Sequence, residues 1–222
     1  MRTRLLPFLA ALALLPSVAM AAKPHVVSFG KVLPVKLFIG PGEDRTLPMN
    51  VRPLMVDGNL KEFTTGEPHT VTDRIFVVRR AFRVNDNLPG EQGKMPRWVW
   101  QRGGWLMVDR VTARISQVNL PLFDPFYSQA SWFRDYAAYC GVSDNAEKVY
   151  TVVMQLGRKK AVLRQDIGAA SQDEDPDSDC APPTWEKNPS RVTFHPKRGQ
   201  PSSFIVRGRS ADVAPTSSED EE

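Results

Sequence analysis

The sequence predicts an all-β fold, on the basis of three observations. Short segments rich in β-branched and aromatic residues alternate with turn-forming dipeptides. No long segment has the hydrophobic spacing of an amphipathic helix. The 19 prolines in 222 residues disfavour long helices, because proline removes a helical hydrogen bond. We expect antiparallel meanders that form a sandwich or a partial barrel, in a β-rich domain over residues 23–167.

Residues 1–21 have the features of a secretory signal peptide. Arg2 and Arg4 supply a positive start, residues 5–15 are mostly apolar, and Ala19-Met20-Ala21 offers small residues for cleavage. The apolar stretch is shorter than the roughly 20 residues that a membrane-spanning helix needs. The sequence therefore predicts an exported protein, periplasmic or extracellular, with no transmembrane segment in the mature chain.

The first predicted strands follow soon after the leader. Residues 25–39 are rich in β-branched residues, and Pro34 favours a sheet edge because proline donates no ladder hydrogen bond. Asp57-Gly58 separates residues 51–56 from residues 59–64. This dipeptide readily takes positive φ at both positions of a two-residue turn, so it predicts a hairpin.

The next segments predict a long strand and then a meander. Residues 74–84 carry Ile75, Val77, Phe82 and Val84 between basic residues, which favours a long strand with one irregularity and with its arginines on the solvent face. Gly103-Gly104 lies between two runs of aromatic and β-branched residues, so we expect residues 98–102 and 105–109 to form a hairpin. A further reversal then returns the chain as residues 114–120.

A second meander is predicted over residues 132–164. Residues 143–146 are turn formers between the apolar segments 132–142 and 149–156, and a turn at residues 157–160 leads into a further strand. A short helix over residues 131–140 is the alternative. Trp132, Tyr136 and Tyr139 would lie on one face of that helix.

The C-terminal part changes in composition and charge. Residues 23–172 contain 21 Lys and Arg against 14 Asp and Glu, whereas residues 173–222 contain 6 against 11. We expect an acidic, proline-containing loop at residues 168–190, a hairpin at 191–207 and a disordered acidic tail at 208–222. No concentrated basic face is evident, so nucleic acid is not an expected partner.

Cys140 and Cys180 are the only cysteines, and an even number in an exported chain predicts a disulfide between them. Closing a loop of about 40 residues would stabilise the fold by roughly 4 kcal/mol in the chain-entropy model. A nucleophilic Cys140 is the competing hypothesis, but no sequence signature for such a site surrounds it.

No cofactor or metal is expected. His25, His69 and His195 lack the spacing of a ligand motif. The acidic run at residues 173–179 lacks the glycine and the terminal glutamate of the calcium-binding loop pattern. Nucleophile-elbow, phosphate-loop and dinucleotide motifs are also missing from the sequence, so no catalytic residue is predicted.

The candidate ligand site is the aromatic segment that begins at Arg97. Trp98 and Trp100 share one face of a strand, with Arg97 and Arg102 nearby, and such indoles can stack on sugar rings or hold a peptide. In the alternative interpretation, these indoles form the core together with Trp105 and Trp132.

Two functions follow from these features. The first is a non-enzymatic exported binding protein whose partner is an envelope protein or a glycan. The second is a secreted hydrolase with an unrecognised carboxylate-based site, for which Asp124 and Asp135 are one pair of acids. A cleft with two close carboxylates would favour the hydrolase, whereas an exposed apolar patch would favour binding.

Overall fold

The computed structural model describes residues 24–39, 45–91, 93–145, 147–170, 180–197 and 200–214. Fifteen strands and one short 3₁₀ helix, Pro89–Glu91, form this part of the chain, which confirms the all-β class. Within it, no helix has the length and apolarity of a membrane span. The predicted signal peptide and most of the predicted acidic tail lie outside the described residues.

The first sheet contains seven strands, and five of them close into a ring. These strands are β1 Val27–Phe29, β2 Leu33–Phe38, β3 Thr46–Val56, β4 Asn59–Thr70, β5 Ile75–Asn85, β6 Trp98–Asp109 and β7 Ile115–Val118. The pairings run from β3 to β2, β6, β5, β4 and back to β3, with only the β2–β6 pair parallel. The five strands therefore form a small barrel, and β1 and β7 extend it at β3 and β6.

One apolar cluster takes residues from all five barrel strands. Its members on these strands are Val35 and Leu37 of β2, Met49 and Val51 of β3, Phe63 of β4, Ala81 of β5 and Trp100 of β6. Residues so far apart in sequence meet only when the ring of strands closes. This cluster therefore fills one end of the barrel.

The hairpin predicted at Asp57-Gly58 is confirmed. Asp57 has φ of 51° and Gly58 has φ of 78°, and they connect β3 to β4. A two-residue turn with positive φ at both positions matches the twist of the strands that it joins.

The hairpin predicted at Gly103-Gly104 is wrong, because residues 98–109 form a single strand, β6. The register pairs Arg79 with Trp105 and Ala81 with Arg102, so the two glycines lie opposite one residue, Arg80. This is a β-bulge. A Cβ atom on Gly103 would come within 3.1 Å of the Arg80 Cβ, so the glycine permits close approach rather than a turn.

Strand β5 also departs from the expected pattern, since one of its arginines is buried. Arg79 is 8% exposed. Its guanidinium donates to the carbonyl oxygens of Gly103, Pro125 and Ser128. These bonds attach the segment after β7 to the barrel. Arg80 and Arg83 are exposed, as the strand prediction expected.

The second sheet is the predicted second meander. Its strands, in spatial order from β8 to β11, are β8 Ser131–Phe133, β9 Tyr136–Val142, β10 Lys148–Gln155 and β11 Leu163–Ala169. The helix alternative at residues 131–140 is wrong, because Arg134 takes φ of 53° in the turn between β8 and β9. Trp132 and Tyr139 face the first sheet, whereas Tyr136 faces the opposite way.

The third sheet is another meander, and it includes two strands in segments where we expected none. Its strands are β12 Cys180–Glu186, β13 Arg191–Pro196, β14 Ser202–Arg207 and β15 Ser210–Val213. The hairpin of β13 and β14 lies where it was predicted, but β12 falls in the predicted loop and β15 in the predicted tail. Each of these two strands pairs with a neighbour of the hairpin, and this pairing is not visible in local composition.

The second sheet lies between the other two sheets, so both of its faces are buried. Ala137, Tyr139, Val152 and Met154 pack towards Val77 and Trp105 of the first sheet. Ala138, Cys140, Val149 and Val153 pack towards Val192, Phe194, Phe204 and Val206 of the third. The second and third sheets thus form a sandwich.

The predicted disulfide joins Cys140 of β9 to Cys180 of β12, with the two Cα atoms 6.1 Å apart. It ties the third sheet to the second at the first residue of β12. The Trp185 indole adds a second tie, since its Nε1 donates to the Ser131 carbonyl oxygen. The disulfide excludes a free thiol nucleophile at Cys140.

Candidate ligand-binding groove

An open groove lies where β2 and β6 separate. The parallel pairing between these strands is formed at one position, Leu37 opposite Trp100. Pro34 and Pro96 lie before that position on the two chain segments, and neither has an N–H to extend the ladder. The sequence thus leaves a gap in the barrel wall beside β6.

The groove has a volume of about 440 Å³ and is mainly apolar with two cationic side chains. It is lined by Val35, Lys36, Phe38, Thr46, Arg97, Trp98, Val99 and Trp100. We call it the Trp98 groove. It brings together three of the four predicted site residues, Arg97, Trp98 and Trp100.

The two indoles of the Trp98 groove differ in exposure. Trp98 is 57% exposed, whereas Trp100 is half-buried and packs edge-on against Phe63, with ring centroids 5.2 Å apart. Trp100 therefore belongs partly to the barrel interior. Trp98 has a large apolar surface in contact with solvent. Covering this surface with a ligand lowers the free energy, because apolar area is removed from water.

A third side chain orders the indoles. Arg83 lies directly across from Trp100 in the β5–β6 pairing. Its guanidinium carbon is 5.8 Å from the Trp98 ring centroid and 5.4 Å from that of Trp100. Cation–π contacts of this kind contribute about 0.5–1 kcal/mol at exposed sites and favour this arrangement of the rings. Sequence reasoning missed Arg83 because the register of β5 on β6 cannot be read from either segment alone.

The polar side chains at the groove are Arg97, Lys36 and Thr46. Arg97 forms an ion pair with Asp86, and its backbone N–H donates to the side-chain oxygens of Asn85 and Asn87. These bonds fix the chain as it enters β6. Lys36 is exposed and forms no ion pair within the described part of the chain. Its ammonium is thus available to donate to a ligand oxygen.

Arg102, the fourth predicted site residue, lies outside the Trp98 groove. It lines a neighbouring cleft with Asp124 and Phe126, and its Nη2 donates to the Phe126 carbonyl oxygen. Phe38 lies between the two clefts and lines both. Arg102 therefore supports the barrel rim rather than the indole surface.

The alternative in which the tryptophans form the core holds for Trp105 and Trp132. These two indoles meet edge-on, with centroids 5.3 Å apart, between the first and second sheets. Trp105 is 8% exposed. The core thus contains Trp105 and Trp132 but leaves Trp98 at the surface.

Carboxylates are sparse in the clefts of the described residues. Among five clefts formed by the described residues, only the one beside Arg102 is lined by a carboxylate, Asp124. Asp124 Oδ1 accepts two backbone N–H bonds, from Phe126 and Tyr127, so it shapes a turn. Asp135 instead accepts a hydrogen bond from Gln155. Among the described residues, no group of three His, Cys, Asp or Glu side chains could hold a metal ion.

The Trp98 groove offers a flat aromatic surface with hydrogen-bond donors beside it. Aromatic surface, an ammonium and a guanidinium fit a ligand that has an apolar face and polar edges. Comparison with protein-family models, with curated proteins and with solved structures finds no match to this chain. The ligand class is therefore inferred from the side chains themselves.

Proposed function

We propose that this chain is an exported, non-enzymatic binding protein of the cell envelope or the extracellular space. The observation that carries this proposal is the 57% exposure of Trp98 in an open groove. Large aromatic side chains in contact with solvent and rimmed by polar groups are typical of binding surfaces.

The signal-like N-terminus and the disulfide both support export. Residues 1–21 combine a positive start, an apolar stretch and small residues at a cleavage position. A disulfide that ties two sheets together is stable in an oxidising compartment such as the periplasm or the extracellular space.

The ligand that fits the Trp98 groove is a neutral glycan. The hydrophobic face of a pyranose ring stacks on Trp98, while its hydroxyl oxygens accept hydrogen bonds from Lys36 and Arg97. Arg83 lies over the indole, with its guanidinium carbon 5.8 Å from the ring centroid, and this cation–π contact reduces the side-chain entropy that is lost on binding.

The proposal is tested by titrating the mature protein with two neutral hexasaccharides, chitohexaose and cellohexaose, in a calorimeter. We expect at least one to bind, and we expect Trp98→Ala to weaken it about tenfold or more, since 1.4 kcal/mol corresponds to a factor of ten. The matched control is Val111→Ala, which alters an exposed apolar side chain in the β6–β7 turn.

Two results would contradict the glycan assignment. In the first, neither hexasaccharide binds. In the second, Trp98→Ala binds as tightly as the wild type. Incubation of the immobilised mature protein with an envelope extract then separates the other hypotheses. A protein retained only when Trp98 is present would indicate a protein partner. Cleaved hexasaccharide in the titration mixture would instead favour the hydrolase.

A further inference from the structure

A second cleft, of about 860 Å³, lies between the second and third sheets and contains four cationic side chains. Arg158, Lys159 and Lys160 come from the turn between β10 and β11, and Arg209 comes from the turn between β14 and β15. We call it the basic cleft. The Trp98 groove, by contrast, lies in the wall of the barrel.

Hydrogen bonds position both walls of the basic cleft. Arg158 Nε donates to Gln155 Oε1, and Gln155 Nε2 donates to Asp135 Oδ2 over 2.8 Å. On the other wall, the Gly208 carbonyl oxygen, next to Arg209, accepts a hydrogen bond over 2.7 Å from the Tyr136 hydroxyl of β9, a side chain that does not itself line the cleft. Burial raises the pKa of Tyr136, and the Asp135 carboxylate raises it further, so this hydroxyl stays protonated as a donor.

Among the described residues, the cations of the basic cleft have no carboxylate partner. No Asp or Glu lines the cleft, and none of the four cations forms an ion pair within the described ranges. Four like charges around one concave surface create a positive potential that attracts anions. The hydrogen bonds of Arg158 and Gly208 fix the two turns that carry these charges.

The remaining lining side chains indicate which class of anion fits. They are apolar aliphatic groups and the Gln155 amide, with no aromatic ring. Proteins that bind single-stranded nucleic acids usually combine positive charge with aromatic side chains on which bases stack. A volume of about 860 Å³ also exceeds what one inorganic anion needs.

We propose that the basic cleft binds an anionic polysaccharide, with Arg158, Lys159, Lys160 and Arg209 contacting its sulfate or carboxylate groups. This site is separate from the neutral-glycan site that we assign to the Trp98 groove. Its binding should weaken as salt rises, because exposed charges are screened within about 10 Å at 0.1 M salt. Stacking on Trp98 should respond little to salt.

The test measures binding of a fluorescent heparin decasaccharide to the mature protein by anisotropy at 50 mM and 300 mM salt. We expect saturable binding that weakens at least tenfold between the two salt concentrations. We expect the charge reversal Lys159→Glu with Lys160→Glu to weaken binding at low salt at least tenfold, whereas Lys159→Arg with Lys160→Arg retains it. Trp98→Ala should leave this binding unchanged.

The matched control is Lys31→Glu with Lys61→Glu, which changes the net charge equally at two exposed positions, one in the β1–β2 connection and one on β4. We expect it to leave heparin binding within twofold. Equal loss in the two charge-reversal variants would overturn the proposal, because net charge alone would then explain binding. Undetectable binding of heparin would also overturn it, as would tighter binding of an oligonucleotide of equal charge. Thermal unfolding of each variant checks that these exposed substitutions leave the fold intact.

Discussion

Strand β6 uses tryptophan in opposite ways at its start and near its centre. At its start, Trp98 is 57% exposed beside a gap in the barrel wall, and at its centre, Trp105 is 8% exposed against Trp132. Both indoles project from the same face of the strand, because the extra residue of the bulge at Gly103-Gly104 shifts the alternation of side chains by one position. The difference arises from what covers that face.

The second sheet covers Trp105, while no described strand covers Trp98. This contrast shows that residue type alone does not separate core from binding surface. Whether an indole is buried depends on whether a second sheet packs over the strand. That sheet comes from residues 131–169, far along the chain.

The largest effect is expected from truncating the covered indole. Trp105→Ala should lower the free energy of unfolding by about 3–5 kcal/mol, because it opens a cavity between two sheets. Trp98→Ala should change it by less than about 1 kcal/mol, as exposed substitutions usually do. Urea unfolding followed by circular dichroism measures both. Equal losses in the two variants would contradict the contrast.

The disulfide should stabilise the packing of the second and third sheets but leave the Trp98 groove unaffected. Cys140→Ser and Cys180→Ser should each lower the free energy of unfolding by about 2–4 kcal/mol, and the double variant should lose no more than either single one. Hexasaccharide binding by the folded variants should stay unchanged, since the Trp98 groove lies on the first sheet. Denaturant unfolding and calorimetry check the two parts. Additive losses in the double variant would show that the cysteines act separately.

A smaller, pH-dependent effect is expected at the far end of β6. The Arg74 guanidinium holds the pKa of Asp109 well below its usual range, and backbone N–H bonds from Val111 and Thr112 add to this. A lowered pKa in the folded state means that the stabilisation is present above the unfolded pKa, about 4, and is lost as pH falls below it.

The free energy of unfolding of the wild type should therefore fall more steeply between pH 5 and pH 3 than that of Asp109→Asn. The asparagine keeps an oxygen that accepts the turn hydrogen bonds but cannot ionise. Urea unfolding at several pH values provides the comparison. Parallel pH profiles would show that the ion pair with Arg74 contributes nothing measurable to stability.

The sequence predicted correctly those features that depend on the residues at the site itself, without contacts from other strands. Asp57-Gly58 specifies a two-residue turn through its own backbone preferences, and Cys140 and Cys180 have no other cysteine with which to pair. The hairpin prediction at Gly103-Gly104 is wrong because glycine is favoured both in tight turns and where another strand approaches the backbone closely. Only Arg80, on another strand, distinguishes these uses.

The same limit applies to the second sheet and to the candidate site. Residues 136–142 are buried on both faces, so they lack the alternation that marks a strand with one wet face, and the aromatic spacing suggested a helix. Arg97, Trp98 and Trp100 were identified because they are neighbours in sequence. Arg83 and Lys36 could not be identified from the sequence, because they lie on other strands and only the barrel pairings bring them next to β6.

The most direct test of the open indole surface is a two-dimensional ¹⁵N NMR spectrum of the five tryptophan indole N–H groups. Single Trp→Phe variants assign the five signals, and chitohexaose or cellohexaose, whichever binds more tightly, is then added to saturation. We predict chemical-shift changes confined to Trp98 and Trp100. Unchanged signals at these two residues, or changes centred on Trp105 and Trp132, would contradict the assignment of the groove as the binding surface.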